Sequence, residues 1–510
     1  MTALQTNYPY IFGALLLSVV WWFATIHRNP DSRTVWPSLL FWGSGILYAL
    51  SLYFSTFSFW YKLLLMLPRD LGILAVVFLI ANNIKNSRGF FVTAVSVALL
   101  ILGIYSSIVQ QAVAKVFKPN VDPQAELLFE ADEAQLKLVK HHLRKYNVKI
   151  EKAFDSKKDK DANLDRFYTI NIEDKDEHHI HTVSNLVYAS GVSSVGQNRI
   201  VQLSPLDKAS PIEGQRPGYG LNDPQLNLLW GFERMKMAEF YTYLRNNKIK
   251  PKRKARIAIL DTGVDKNHED INARYVSIKS AYDRDGNSHG THCAGIAAAV
   301  SNNGKGIASF APDDRFVEVT SVKVLSDQGS GTDKGVIAGI IEAADNKADV
   351  ISMSLGGHSS EVKRRAFAQA VRYANKRGAI VVVAAGNESQ DAIRVSPANV
   401  DGVIVVTAVD QQLNRARFSN WISSLKWGIA APGVGIQSTI PGNKYAAYNG
   451  TSMATPYVAG LLGMMKALDP KLDTEKAYKI LSGTGIDTQD TSKTGKFIQP
   501  LQALQALSKP

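Results

Sequence analysis

The chain has 510 residues, 45% of them hydrophobic, and a formal net charge of +13. That length exceeds one ordinary domain and predicts two to four units, while a single cysteine, Cys293, excludes any intrachain disulfide and leaves the fold to core packing. Positive charge of this size points towards nucleic acid or an anionic membrane. However, the densest basic run, Lys248, Lys250, Lys252, Arg253, Lys254 and Arg256, precedes a predicted strand and has no aromatic residues between its charges. It reads as a solvated loop, with anionic lipid beside an anchor as the alternative, and nucleic acid is not expected as a partner.

Composition divides the chain near residue 117. Residues 1–117 are rich in Leu, Val, Phe and Trp and nearly free of acidic residues, with apolar runs over 10–25, 36–57, 71–81 and 90–113. Three are long enough to span hydrocarbon, the first with its flanks included, whereas 71–81 is short and follows Pro68, Arg69 and Asp70. Several apolar segments behind an uncharged start do not describe a cleavable signal peptide. They predict an all-α transmembrane domain of about four spans, with the lipid bilayer as partner. Arg28 and Arg33 in one loop and Lys85 and Arg88 in another place those loops in the cytoplasm, which turns both termini outward and predicts an extracytoplasmic location for everything that follows. Lys62, Lys115 and Lys118 fall on the other side, and loss of the third span would reverse the C-terminal orientation.

Residues 124–205 predict a small α+β domain. A strand over 126–130 precedes a helix over 132–146, whose apolar positions are taken as Leu136, Leu138, Val139 and Leu143. Strands follow over 148–154 and 167–172, then a helix over 178–188 and a last strand over 199–203. That β-α-β-β-α-β order is the split ferredoxin-like plan. His141, His142, His178, His179 and His181 read as surface residues rather than as a metal site, because no third ligand stands near them. Residues 206–221 form a linker.

Residues 222–510 carry the chemistry. A strand over 255–260 ends in Asp261-Thr262-Gly263. Ser288-His289-Gly290-Thr291-His292-Cys293-Ala294-Gly295 opens a helix, and Gly450-Thr451-Ser452-Met453-Ala454-Thr455-Pro456 opens another. A serine hydroxyl is a weak nucleophile until a base accepts its proton, and the base needs a carboxylate to fix its tautomer. Strands over 350–357, ending in glycines, 380–385 and 403–409, with helices over 334–345, 360–377 and 452–468, fill out a doubly wound α/β pattern with chemistry at strand carboxyl ends.

Three motifs in the order Asp, His, Ser resemble the subtilisin-like serine proteases over about residues 220–470. The resemblance implies Asp261, His289 and Ser452 as the catalytic triad and Asn387, at the end of Ala385-Gly386-Asn387, as oxyanion donor. It also implies backbone binding of an extended protein or peptide substrate by Ser354, Leu355 and Gly356, with Ala385 and Gly386 walling the first specificity pocket. No cofactor is required for the chemistry. Asp270 and Asn302 resemble a structural calcium site, with a plain surface turn as the competing reading. Residues 124–205 resemble the family's inhibitory propeptide, so the enzyme's own prodomain is an expected partner, removable by self-cleavage; its tail, residues 202–217, would lie along the cleft. An unrelated sensory or adaptor domain is the alternative. Cys293 reads as a buried small hydrophobe or as a thiol whose modification would reach the nearby imidazole.

Overall fold

A computed structural model describes residues 127–508, apart from 155–163, 174–176, 199, 204–206 and 215–217, together with residue 15 and residues 39, 40 and 42–48. The four apolar runs lie outside the described residues, except that residues 15, 39, 40 and 42–48 are helical. Among the described residues no helix is long and apolar enough to cross a membrane. The chain divides into two units, residues 1–120 and 121–510, and the architecture below is that of the second.

Its N-terminal lobe contains β1 (Leu127–Glu130), α1 (Glu133–His142), β2 (Val148–Lys152), β3 (Phe167–Ile172), α2 (Glu177–Ala189) and β4 (Val195–Gln197). The sheet order is β2-β3-β1-β4, every neighbour antiparallel. Helix α1 begins in a capping box, where Asp132 accepts from Gln135 N and the Gln135 side chain returns the bond to Asp132 N. Val139 and Leu143 are buried, whereas Leu138 is 49% exposed, because only positions three and four apart share the inward face. The fourth strand of the sheet is 195–197 rather than 199–203. Residues 200–202 leave the sheet as β5 (Ile200–Gln202) and pair elsewhere.

Alternation along β1 gives this lobe two buried faces. Leu127 and Phe129 meet the lobe's own helices, while Leu128 joins a core that includes Val362 and Ala366 of the C-terminal lobe. The lobes are further joined by a Glu130–Arg365 ion pair at 2.7 Å and by Lys334 N donating to Asn198 Oδ1 at 3.0 Å.

The C-terminal lobe begins after β6 (Asp207–Ala209). In chain order it contains β7 (Ala255–Asp261), α3 (His289–Ala298), β8 (Val317–Lys323), β9 (Ser330–Thr332), α4 (Asp333–Asp345), β10 (Val350–Met353), β11 (Gly357–His358), α5 (Glu361–Lys376) and β12 (Ile380–Ala384). Then come β13 (Val395–Ser396), which pairs with β11, β14 (Val403–Val409), β15 (Gly428–Pro432), β16 (Ile436–Ile440), β17 (Lys444–Asn449), α6 (Thr451–Leu468) and β18 (Lys496–Phe497). Seven strands form one parallel sheet, β18-β15-β14-β12-β10-β7-β8. Its central strands are unbroken apolar runs, such as the fully buried Ile380–Ala384, because helices cover both faces. Chain order reverses between β7 and β10, so the crevice at their carboxyl ends is where a ligand is expected. Helix α6 is buried from Thr451 to Ala467 and lies close against α3. A Cβ on Gly460 would sit 2.7 Å from Ala297 O, so only glycine permits that approach.

The basic run before β7 is not a single patch. Arg253 pairs with Asp349 and Arg256 with Glu318, while Lys252 and Lys254 stay exposed.

Candidate active site

Asp261 is the last residue of β7 and is fully buried; its Oδ1 accepts from Thr262 N at 2.7 Å. His289 is the first residue of α3, and its Nδ1 lies 2.8 and 2.9 Å from the two Asp261 carboxylate oxygens. The imidazole can come so close because Gly290 follows it; a Cβ there would meet Gly263 O at 2.1 Å. Burial, the largest single influence, favours the neutral ring, but the Asp261 carboxylate and the Cys293 sulfur beside it together hold the His289 pKa well above its ordinary value.

A residue passed over in the sequence fixes this corner. The Asp285 carboxylate accepts five hydrogen bonds, from Thr262 Oγ1, Asn287 N and Ser288 N at one oxygen and from Thr291 N and Oγ1 at the other, all 2.8–3.0 Å. It therefore ties the start of the His289 helix to the residue after Asp261. The readable signal was an acidic residue in a turn four positions before the histidine, in Asp285-Gly286-Asn287-Ser288-His289.

Ser452 stands at the start of α6 and is 9% exposed. Its hydroxyl donates to Ser354 O at 3.1 Å, and Ser354 Oγ donates back to Ser452 O at 2.8 Å. Cys293 Sγ is 3.9 Å from His289 Nδ1 and 3.5 Å from Ser452 O, so one buried thiol touches both the histidine and the serine. Burial raises the pKa of that thiol, which keeps it a small apolar filler. In this state the hydroxyl is turned towards Ser354 O rather than the imidazole, as is common before substrate tightens such contacts. Asp261 and His289 are in direct contact, and the start of α6 reaches them through Cys293, at the carboxyl end of β7 where the sheet reverses.

Asn387 follows β12. Its Oδ1 accepts from Thr451 N and from Thr451 Oγ1, both at 2.9 Å, and Gly386 N donates to Thr451 Oγ1 at 3.2 Å. A backbone N–H needs an acceptor, so the amide orientation is fixed with its oxygen on Thr451 and its two N–H donors on the other side. The residue before Ser452 thus aims the asparagine.

Of the five residues expected to bind substrate, Ser354 and Leu355 are buried beside the nucleophile, and Gly356 leads into the β11–β13 pair. Ala385 is fully buried, with its N donating to Val406 O at 2.9 Å, and Gly386 sits between Thr451 and Asn420. The sequence reading missed the edge that pairs with an extended segment, namely β9: Ile200, Val201 and Gln202 face Thr332, Gly331 and Ser330.

Asp270 and Asn302 do not converge as metal ligands. The Asp270 oxygens accept from Asn303 Nδ2 and Ile307 N, both at 2.9 Å, while exposed Asn302 gives its own N–H to Asp223 at 2.8 Å. Asp270 and Asn302 thus face different partners and do not share one site in this structure. Burial pushes Asp270 up to about 7. A carboxyl that holds its proton more tightly when folded loses stability as pH rises from its unfolded value of about 4 to about 7. In chelator-containing buffer the thermal midpoint is therefore expected to fall across that window, and Asp270→Asn to flatten the fall. A profile as steep in the variant as in the parent would refute this.

Comparison with known proteins agrees with the geometry. A profile of the subtilase family matches residues 252–497. The chain is 44% identical over 241 residues to thermitase of Thermoactinomyces vulgaris, a match covering 45% of this chain and 83% of thermitase. It is 41% identical over 256 residues to subtilisin DY of Bacillus licheniformis, covering 49% and 89% respectively. Among solved structures, a protease of Pseudoalteromonas arctica superposes with a TM-score of 0.50 at 28% identity, covering 56% of this chain and 99% of that one.

Proposed function

The chain belongs to the subtilase family and is a serine endopeptidase, and on that premise we propose that Ser452 is its nucleophile, His289 its general base and Asp261 the group that orients the base. The observation that carries the assignment is the buried Asp261–His289 pair, joined through Cys293 to the helix start that bears Ser452. The Ser452 hydroxyl attacks the scissile carbonyl as His289 takes its proton. The Asp261 carboxylate stabilises the imidazolium so formed, which then protonates the departing amine. Water repeats the sequence on the acyl-enzyme, regenerating the serine and releasing the acid. Labelling by a fluorophosphonate tests this: the protein should react, and Ser452→Ala should not.

Asn387 is the oxyanion donor in this reading, since its amide is aimed by Thr451 and its donors are turned away from that contact. Asn387→Leu is expected to lower kcat by about 10²–10³-fold with KM little changed, a size taken from the corresponding loss in a subtilisin. Equal changes in kcat and KM on a peptide substrate would remove Asn387 from that role.

Residues 124–205 act as an inhibitory prodomain in this reading. The support is the packing of β1 against α5, through Leu128 with Val362 and Ala366 and through the Glu130–Arg365 pair, and the pairing of β5, which follows that sheet, with β9. Residues 1–117 anchor the enzyme in a membrane, with the peptidase extracytoplasmic. The support is the series of apolar runs, the placement of Arg28, Arg33, Lys85 and Arg88, and the exposure of Leu39, Trp42, Ile46 and Leu47 where that region is described.

A further inference from the structure

The chain meets the cleft twice. Before Leu203 it pairs with β9, where Val201 is buried in a core shared with Leu325, Met353 and Leu355, next to Ser354, whose carbonyl receives the Ser452 hydroxyl. From Asp207 it pairs again, antiparallel, with β17: Asp207 faces Asn449, Lys208 faces Tyr448 and Ala209 faces Ala447. Asn449 Nδ2 also donates to Asp207 Oδ2 at 2.8 Å. Strand β17 runs through Asn449 into Gly450, Thr451 and Ser452.

The two pairings use different strands of the peptidase. The β16–β17 ribbon is bonded to the helix that carries His289: Ser438 Oγ donates to His292 O at 2.7 Å, Thr439 Oγ1 to Thr291 O at 2.8 Å, and His292 Nε2 contacts Ala446 O at 3.0 Å. In the acyl-transfer reaction the imidazole delivers its proton to the leaving amine, so the leaving peptide lies on the imidazole's side of the serine. β6 lies on the ribbon that is bonded to the imidazole's helix, β5 pairs instead with β9 near Ser354, and the chain runs from β5 to β6, the direction in which a substrate passes from acyl to leaving side.

We propose that residues 207–209 are a second autoinhibitory strand, which occupies the leaving-group half of the cleft and stays there after the prodomain has been cut away. The inference rests on the protease reading above. Any cut N-terminal to Asp207 leaves β6 attached to the peptidase body, to which it is held downstream. Ile212 packs so closely on Gly435 that a Cβ there would meet its Cγ1 at 2.8 Å, and Gly214 N donates to Asn227 O at 2.7 Å. A strand tethered so near its site has an effective concentration on the order of mM, enough to compete with the leaving-side residues of a peptide. Prodomain cleavage therefore opens only the acyl half, and full activation needs the new N-terminus to be displaced or trimmed past Ala209.

Two substrates separate the halves. A peptide p-nitroanilide has no residues on the leaving side, whereas an internally quenched peptide extends across both. Using the self-processed full-length protein with its N-terminus mapped, Lys208→Pro places a ring that strands tolerate poorly opposite Tyr448, and Asp207→Ala removes the Asn449 contact. Lys208→Pro is expected to lower KM for the quenched peptide at least tenfold while changing kcat/KM for the p-nitroanilide less than twofold. Asp207→Ala should act in the same direction with smaller size, and it carries the test if the proline variant does not accumulate. Equal changes on the two substrates, or none on either, would overturn the second strand alone. A processed parent that neither cleaves the p-nitroanilide nor takes a fluorophosphonate would overturn the protease reading and this inference with it.

Discussion

Ser452→Ala is expected to lower kcat for a peptide p-nitroanilide by about 10⁶-fold, the size known for loss of the serine in the related subtilisins. The physical reason is that no other group can form the acyl bond here. Cys293 is the only thiol in the chain, is fully buried, and has its pKa raised by burial, so it offers no thiolate in place of the alkoxide. The variant should fold, because the substitution deletes one hydroxyl, bonded to Ser354 O, a contact worth about 1 kcal/mol. A thermal midpoint within a few degrees of the parent would verify that. Because the triad acts as a unit, adding His289→Ala to Ser452→Ala should cost little more. Residual turnover above about one part in 10³ by a homogeneous, folded Ser452→Ala preparation would remove Ser452 as nucleophile.

Asp261→Asn should cost about 10⁴-fold in kcat near neutral pH, the size seen for the same change in a serine protease of unrelated fold. A carboxylate can only accept, so it holds the proton on His289 Nδ1 and leaves Nε2 free to act as base. An amide can donate to Nδ1 instead and favours the inactive tautomer. The pH profile gives a second, independent sign. Activity needs a neutral imidazole and is lost as pH falls through the His289 pKa. The Asp261 carboxylate raises that pKa against the opposing effect of burial, so its removal should move the acid limb of the residual activity to lower pH. A limb that stays in place, or moves up, would show that Asp261 does not set the titration of His289, whatever happens to the rate.

The strand end at Asp261 and the helix starts at His289 and Thr451 were legible because particular side chains stand there beside particular small ones. Glycine after the histidine, and serine at a helix start, are local requirements that survive in one dimension. The apolar runs of β7, β12 and β14 were legible for a similar reason: a strand covered on both faces has no polar side to show. The β-α-β-β-α-β order of residues 127–197 was readable from periodicity, although its last strand was misplaced. Residues 195–197 are a short stretch containing Gly196, whereas the more strand-like 200–202 belongs to a different partner. Leu138 was assigned inward on hydrophobicity, and the helix phase put it outside.

What the sequence by itself determined is chemistry: which residue types stand ready to make an acyl-enzyme, in what order, on an α/β frame of parallel strands. What only the tertiary structure decided is who touches whom across long stretches of chain. It shows that Asp285 ties the aspartate corner to the histidine helix, that Thr451 aims Asn387, that Asp270 is bound by N–H donors rather than by Asn302, and that β5 pairs with β9 while β6 pairs with β17. Those pairings join residues up to 242 positions apart, as Asp207 and Asn449 are. They follow from the closing of a sheet, and a pattern of neighbours along the chain carries no record of them.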